Sequence, residues 1–324
     1  MNTYNEKIIV AINCAAFNHE PYIRECLEGF VMQKTNFRFV AIVHDDASTD
    51  RTADIIREYE AKYPEIIKPI YETENQYSKH DGSLGRIMNA AIDATGAKYV
   101  ALCEGDDYWT DPYKLQKQVD AMEKNPLCTI CFNRVQAVQK DGVTKMYTIP
   151  IMDCSFSEGV VSLNDLVREE FEGGNWCFHT SSFFIRNEVL QLVPKFQEKH
   201  VPSFPYGDMP LQLCALLKGD GFFISDIMGH YRVLSGGWNS TMQKNSELRI
   251  AMERKIIQGF KEFDRYTRFK YHKSIRKHIL GREYYEVYNG NSKKIKFIMF
   301  NIPKWRKRIL RNTKSLLRIL NLKN

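Results

Sequence analysis

The chain has 324 residues, 44% hydrophobic and 26% charged, enough for one large α/β domain or a domain of about 200–250 residues with a smaller appendage. No stretch approaches about 18 uninterrupted apolar residues, which excludes a conventional membrane span, and the polar start Met1 to Lys7 lacks the features of a secretory signal. The net charge of +7 hides two regimes: residues 260–324 hold 19 Lys or Arg against 4 Asp or Glu, a local +15, so the preceding 259 residues carry −8.

The first 130 residues alternate strand-like and helix-like segments. Ile8 to Asn13 predicts a strand, ended by the small and polar series Cys14-Ala15-Ala16-Phe17-Asn18. Glu20 and Pro21 open a helix with Ile23, Leu27 and Phe30 at helical spacing. Phe37 to Val43 is the second strand, His44 to Asp50 its turn, and Arg51 to Lys62 a helix with Ser48, Thr49 or Asp50 available as cap. A third strand over Ile66 to Tyr71 leads through a polar loop to a helix over Leu84 to Ala94 and a fourth strand over Tyr99 to Cys103. Tyr113 to Lys124 then predicts a helix and Cys128 to Val138 a strand. Such repeats favour a mostly parallel sheet flanked by helices, with ligands collecting beyond the carboxyl ends of the strands.

Those ends are polar. After the fourth strand come Glu104-Gly105-Asp106-Asp107, three carboxylates in four residues. Like charges so close raise one another's pKa values unless a cation is shared, and oxygen ligands suit Mg²⁺ or Mn²⁺. The alternative is a solvated acidic turn. The stretch 145–245 is less regular. It contains the acidic patch Arg168-Glu169-Glu170-Phe171-Glu172, the apolar run His179 to Ile185, Tyr206-Gly207-Asp208 before a helix over Leu211 to Leu217, and a strand over 222–228. A long helix is expected from Ser246 to Tyr266, with further helix towards residue 289.

In order and spacing, Ala16-Phe17-Asn18, Asp45-Asp46-Ala47-Ser48-Thr49-Asp50, Gly105-Asp106-Asp107 and Tyr206-Gly207-Asp208 resemble the inverting, nucleotide-sugar-dependent glycosyltransferases of family 2, which have the GT-A fold. The resemblance covers about residues 7–245. It departs from the pattern at Ala15, where proline is usual, and at Glu104, where aspartate is usual. It implies a nucleotide-sugar half over about 7–130, an acceptor half over about 131–245, and a helical, strongly basic extension over 246–324.

The resemblance assigns Asp46 to the nucleotide base, uracil in the first instance, and Asp106 to a divalent metal, Mn²⁺ or Mg²⁺. Phe17 would pack near the base, with Ala15 and Asn18 lining that pocket, and Glu104, Gly105 and Asp106 would bind the donor. For Asp46 a helix cap is the competing reading, and for Phe17 an ordinary core position. Asn75 would organise the loop or meet the nucleotide, while Lys79 and Arg86 are candidates to offset diphosphate charge. Asp107 and His230 are further metal candidates. Asp208 is the expected general base, a helix N-cap being the alternative. Trp109, Trp176 and Trp238 are candidate acceptor platforms, core packing the alternative for tryptophan.

The expected partners are a nucleotide-diphosphate sugar and a saccharide or lipid-linked glycan, with no nucleic acid. A degenerate, non-catalytic sugar-binding module is the rival class. No GxGxxG or GxxxxGK[ST] loop is present, which removes the main reasons for a dinucleotide or P-loop site. Eight cysteines scattered in apolar runs fit a reducing cytoplasm, and Cys128 and Cys131 read as buried thiols. Residues 293–324 mix Leu and Ile with Lys and Arg, as in a segment that lies on the inner face of an anionic membrane or packs on its own domain.

Overall fold

The computed structural model describes residues 7–152, 154–172, 177–234 and 246–288. Trp176, Trp238 and the basic segment 293–324 lie outside the described residues. The first half runs β1 (Ile8–Ala16), α1 (Ile23–Val31), β2 (Arg38–Asp45), α2 (Thr52–Lys62), β3 (Ile67–Tyr71), α3 (Ser83–Ala94) and β4 (Tyr99–Glu104). Next come β5 (Tyr108–Trp109), α4 (Lys114–Lys124), β6 (Cys128–Val138), β7 (Lys145–Ile149), β8 (Gly159–Val161) and α5 (Leu163–Leu166). A π-turn over Val167–Glu172 follows α5 directly. The chain continues through β9 (Phe184–Arg186), α6 (Asn187–Leu190), α7 (Val193–His200), α8 (Asp208–Lys218), β10 (Asp220–Arg232), α9 (Ser246–Tyr266) and α10 (His272–Tyr288).

All the strands join one 10-stranded sheet in the order β3-β2-β1-β4-β9-β6-β10-β5, with β7 added to β6 and β8 to β10. Strands β1, β2, β3 and β4 are mutually parallel, and β10 is parallel to β6. The short strand β9 runs against both β4 and β6, so the long strands on either side of it point the same way. The sheet is therefore mixed, and β5, β7, β8 and β9 supply its antiparallel pairings. The carboxyl ends of β1, β2 and β4 lie side by side at one edge.

The period-2 alternation of the strands divides the core. On β1, Ala11 faces one side, while Val10, Ile12 and Cys14 face the other. The second side is covered by α1, α2 and α4 through Leu27, Phe30, Ile56 and Leu115. The first side takes Met88 and Ile92 of α3, Leu213 of α8, and Phe260, Phe263 and Ile275 of α9 and α10 in one continuous cluster. Burial on both faces explains why β1, β2 and β4 read as near-continuous apolar runs. Among the described residues, no helix is long and apolar enough to cross a membrane.

Candidate active site

The loops after β1 and β2 are stitched together. Asn18 adopts a left-handed backbone, φ 54°, a conformation asparagine tolerates better than most residues. Its N–H donates to Ser48 Oγ at 2.9 Å, and its side-chain oxygen accepts from the Thr49 N–H at 2.8 Å. Asp50, not Asp46, serves the start of α2, accepting from the Thr52 N–H at 2.9 Å while its other oxygen accepts from the Glu20 N–H at 3.0 Å. Burial raises the Asp50 carboxyl, and these hydrogen bonds more than offset it, leaving its pKa below the usual value. Phe17 is 43% exposed, so its ring is available to a ligand and is not a core aromatic.

Asp46 is only 3% exposed. Its two carboxylate oxygens accept from the backbone N–H groups of Gln76 at 2.6 Å and Tyr77 at 3.0 Å. Asn75 completes the joint, donating to the Asp46 carbonyl at 3.1 Å and accepting from the Ser78 N–H at 2.7 Å. The carboxylate thus straps the loop before α3 to the end of β2. Lys79 lies in that loop, paired with Glu74 at 3.2 Å and bonded to Gln76. Arg86 is 65% exposed and donates to the Asp81 carbonyl at 2.6 Å.

The acidic turn after β4 approaches the first loop closely. The Gly105 N–H donates to the Ala15 carbonyl at 2.9 Å. A Cβ at residue 105 would sit 2.8 Å from His19 Nδ1 and 3.0 Å from the Ala15 oxygen, so any side chain there forces its neighbours to shift. Glu104, the last residue of β4, is exposed, yet neighbouring protein partly desolvates its carboxyl. That desolvation, with the charges of Asp106 and Asp208, pushes its carboxyl up to about 7. Residues 104 and 208, distant in sequence, therefore share one electrostatic neighbourhood with Asp106.

Asp107 faces inward, 1% exposed. Ser181 Oγ donates to one of its oxygens and the Arg232 N–H to the other at 3.0 Å. Burial, aided by Asp106, raises its pKa well above the usual range against those bonds. His230 is engaged with Tyr108, whose hydroxyl lies 2.7 Å from Nδ1. Neither Asp107 nor His230 stands beside Asp106 as a ready ligand, and among the described residues no three His, Cys, Asp or Glu side chains form a metal cage. What the turn offers is the Asp106 carboxylate, with Glu104 near enough for its charge to be felt. That set fits a hard cation which takes the rest of its shell from diphosphate and water.

Arg232 was not among the expected site residues, yet it holds the turn in place. It is 2% exposed, donates to the Asp106 carbonyl at 2.6 Å, pairs with Glu25, and lies against the rings of Tyr22 and Tyr108 at 5.2 and 4.6 Å. Trp109 is corrected to a core residue. It is 2% exposed, its indole N–H donates to the Ser181 carbonyl at 3.2 Å, and Phe30 and the Lys114 ammonium cover its ring. It therefore cannot form an acceptor platform. At the far side, Gly207 is the N-cap of α8 and Asp208 its first residue, so Asp208 is not the cap. Burial raises the Asp208 pKa, opposed by the Met209 N–H, which donates to Oδ1 at 2.7 Å.

A family model for Glycosyl transferase family 2 matches residues 8–191, more than half of the chain. The chain belongs to glycosyl transferase family 2. Among relatives of this chain, an uncharacterized protein of Mycobacterium tuberculosis is 44% identical over 135 residues, which span 41% of this chain and 37% of that protein. The chain thus matches little more than a third of that relative's length. The fold is shared with S. aureus TarS 1-349 in complex with UDP-GlcNAc, at TM-score 0.55 and 16% identity over 87% of this chain and 81% of that one. It is also shared with the mannosyltransferase PcManGT of Pyrobaculum calidifontis in complex with GDP-Man and Mn²⁺, at TM-score 0.54 and 16% identity over 96% and 81% of the two chains.

Proposed function

We propose that this family 2 member is an inverting glycosyltransferase. It moves a sugar from a nucleotide-diphosphate donor, UDP-linked in the first instance, to a hydroxyl of a glycan or lipid-linked saccharide. The observation that carries the reading is the acidic turn at the carboxyl end of β4, where the charges of both Asp106 and the distant Asp208 act on Glu104. A donor lies naturally across that edge, with its base against the exposed Phe17 and its diphosphate towards the acidic turn. Support for a nucleotide sugar comes from the ligands of the two solved structures of the same fold, UDP-GlcNAc in one and GDP-Man with Mn²⁺ in the other.

In this reading Asp208 accepts the proton of the acceptor hydroxyl as that oxygen bonds to the anomeric carbon. The bond from that carbon to the diphosphate breaks on the opposite face, and the diphosphate leaves with the electron pair. Inversion follows from the single displacement. Asp106, with Glu104 nearby, would hold Mn²⁺ or Mg²⁺, which when bound neutralises charge on the departing diphosphate. Asp46 shapes the base pocket by fixing the loop at Gln76 and Tyr77, and its remaining lone pairs can still accept from a base imide. Residues 293–324 would hold the enzyme at the anionic cytoplasmic face of a membrane, near a lipid-linked acceptor.

The test is nucleotide release from a panel of UDP-, GDP- and dTDP-sugars with Mn²⁺ and mixed glycolipid acceptors, for the wild type and Asp208→Asn. Turnover that falls about 10²–10⁴-fold in Asp208→Asn with donor affinity retained supports the base assignment. Donor binding without turnover by the wild type on any acceptor would favour a degenerate binding module instead.

A further inference from the structure

The elbow between α9 and α10 carries a charge pattern that sugar transfer does not require. From residue 265 to residue 277 the sequence holds six Lys or Arg and no Asp or Glu. All six, Arg265, Arg268, Lys270, Lys273, Arg276 and Lys277, are exposed. Helix periodicity accounts for this. Tyr271, Ile275 and Ile279 of α10 enter the core beside Phe260 and Phe263 of α9. Lys273, Arg276 and Lys277, at spacings of three and four, therefore share the outward side. The adjoining carboxylates are engaged elsewhere. Asp264 pairs with His272 at 2.6 Å, Glu262 accepts from the N–H and hydroxyl of Ser203 at 3.1 and 2.6 Å, and Glu172 accepts from Ser274. Among the described residues no ion pair reaches any of the six cations. Such a single-sign surface repels itself until something anionic meets it.

The tip of the elbow also exposes an apolar ring. Arg268 and Phe269 both have left-handed backbones, φ 51° and 62°, a conformation that a bulky residue disfavours. Hydrogen bonds impose it. The Phe269 N–H donates to the Asp264 carbonyl at 2.8 Å, and the His272 N–H donates to the Phe269 carbonyl at 3.2 Å. The His272 ring braces the Phe269 ring edge-on at 5.8 Å. As a result Phe269 is 58% exposed, and Tyr266, three residues earlier, is 40% exposed. A groove of about 250 Å³ opens between the elbow and Leu217 near the end of α8, lined by Tyr266, Thr267, Arg268, Lys270 and Tyr271.

We propose that the α9–α10 elbow is a contact surface for an anionic lipid bilayer. Phe269 enters the boundary between headgroups and acyl chains, Arg268 and Lys270 take a lipid phosphate in the groove, and the other four cations lie on the surrounding headgroups. Charge and apolar exposure together select this partner. An anionic bilayer neutralises the six cations and gives the Phe269 ring an apolar environment. Duplex nucleic acid would meet the cations through its phosphates and leave Phe269 in water. The surface involves none of residues 293–324 and stands whether or not the chain transfers a sugar.

The test uses the full chain with vesicles of equal parts phosphatidylcholine and phosphatidylglycerol, or of phosphatidylcholine alone. Each Lys or Arg near an anionic surface strengthens partitioning by about fivefold. Arg268→Gln, Lys270→Gln and Lys273→Gln combined should therefore weaken binding to the mixed vesicles by about 10²-fold. Glutamine at three exposed lysines elsewhere, Lys34, Lys68 and Lys124, should leave it within about fivefold of wild type, because charges beyond a Debye length are screened. Phe269→Trp reads insertion: its added emission should shift to the blue on mixed vesicles and be quenched by brominated acyl chains, and should not change on phosphatidylcholine alone. Equal partitioning by the triple elbow variant, an equal loss in the three-lysine control, or a Phe269→Trp emission that mixed vesicles leave unchanged overturns the proposal. Duplex DNA that binds the full chain but not the triple elbow variant, with vesicle binding the same in both, assigns the surface to a polyanion and overturns it too.

Discussion

Replacing Asp46 by asparagine tests the strap between β2 and the loop before α3. The wild-type carboxylate accepts two backbone N–H bonds, at 2.6 and 3.0 Å, from a site that is 3% exposed. Asparagine keeps one acceptor and turns the other towards an N–H that is itself a donor. One charge-assisted bond of about 1.5–3 kcal/mol is lost, the other weakens to about 1 kcal/mol, and one buried N–H is left open. Asp46→Asn should therefore lose about 3 kcal/mol. At about 2 °C per kcal/mol for a domain of this size, the midpoint of thermal unfolding drops by about 6 °C. Hydrogen exchange should accelerate at the amides of Gln76 and Tyr77 first, and UDP affinity should fall with the loop loosened. A midpoint within about 1 °C of wild type, together with unchanged exchange at those amides, would refute the strap.

Three further outcomes follow from the geometry. Gly105→Ala sets a methyl against the Ala15 carbonyl and His19, and should cost about 1–3 kcal/mol and weaken nucleotide binding, checked by denaturant unfolding and calorimetry. Glu170 has a folded pKa raised to about 8 from an unfolded value of about 4.3, so the stability it contributes is present at low pH and is lost as pH rises through the window between them. Wild type should accordingly lose about 2 kcal/mol relative to Glu170→Gln between pH 6 and 8, and parallel stability curves would contradict this. Removing residues 293–324 should sharply weaken binding to phosphatidylglycerol vesicles, since each surface Lys or Arg contributes about 1 kcal/mol; equal binding by the shortened chain rejects the membrane role.

The parallel half of the fold was legible because β1, β2 and β4 are buried on both faces and end in polar turns, so their apolar runs are long and sharply bounded. Strands β5, β8 and β9 span two or three residues each, too short for any period to emerge. Their pairing is decided by tertiary contact. The same reason hid the direction of Trp109, whose partners Phe30, Lys114 and Ser181 come from three different segments. The sequence singled out Asp46 as a candidate base-binding carboxylate, but its bonds to residues 30 and 31 positions ahead were not readable. In the patch 168–172 three glutamates look alike in sequence. Only the π-turn, which breaks the 3.6-residue period, selects Glu170 for burial.

The most direct test of the central claim is calorimetric titration of the full chain with UDP, GDP, CDP and dTDP in Mn²⁺, repeated with chelator. The account predicts selective UDP binding that weakens strongly without the metal and in Asp106→Ala. Folded protein that binds none of the four nucleotides would contradict it.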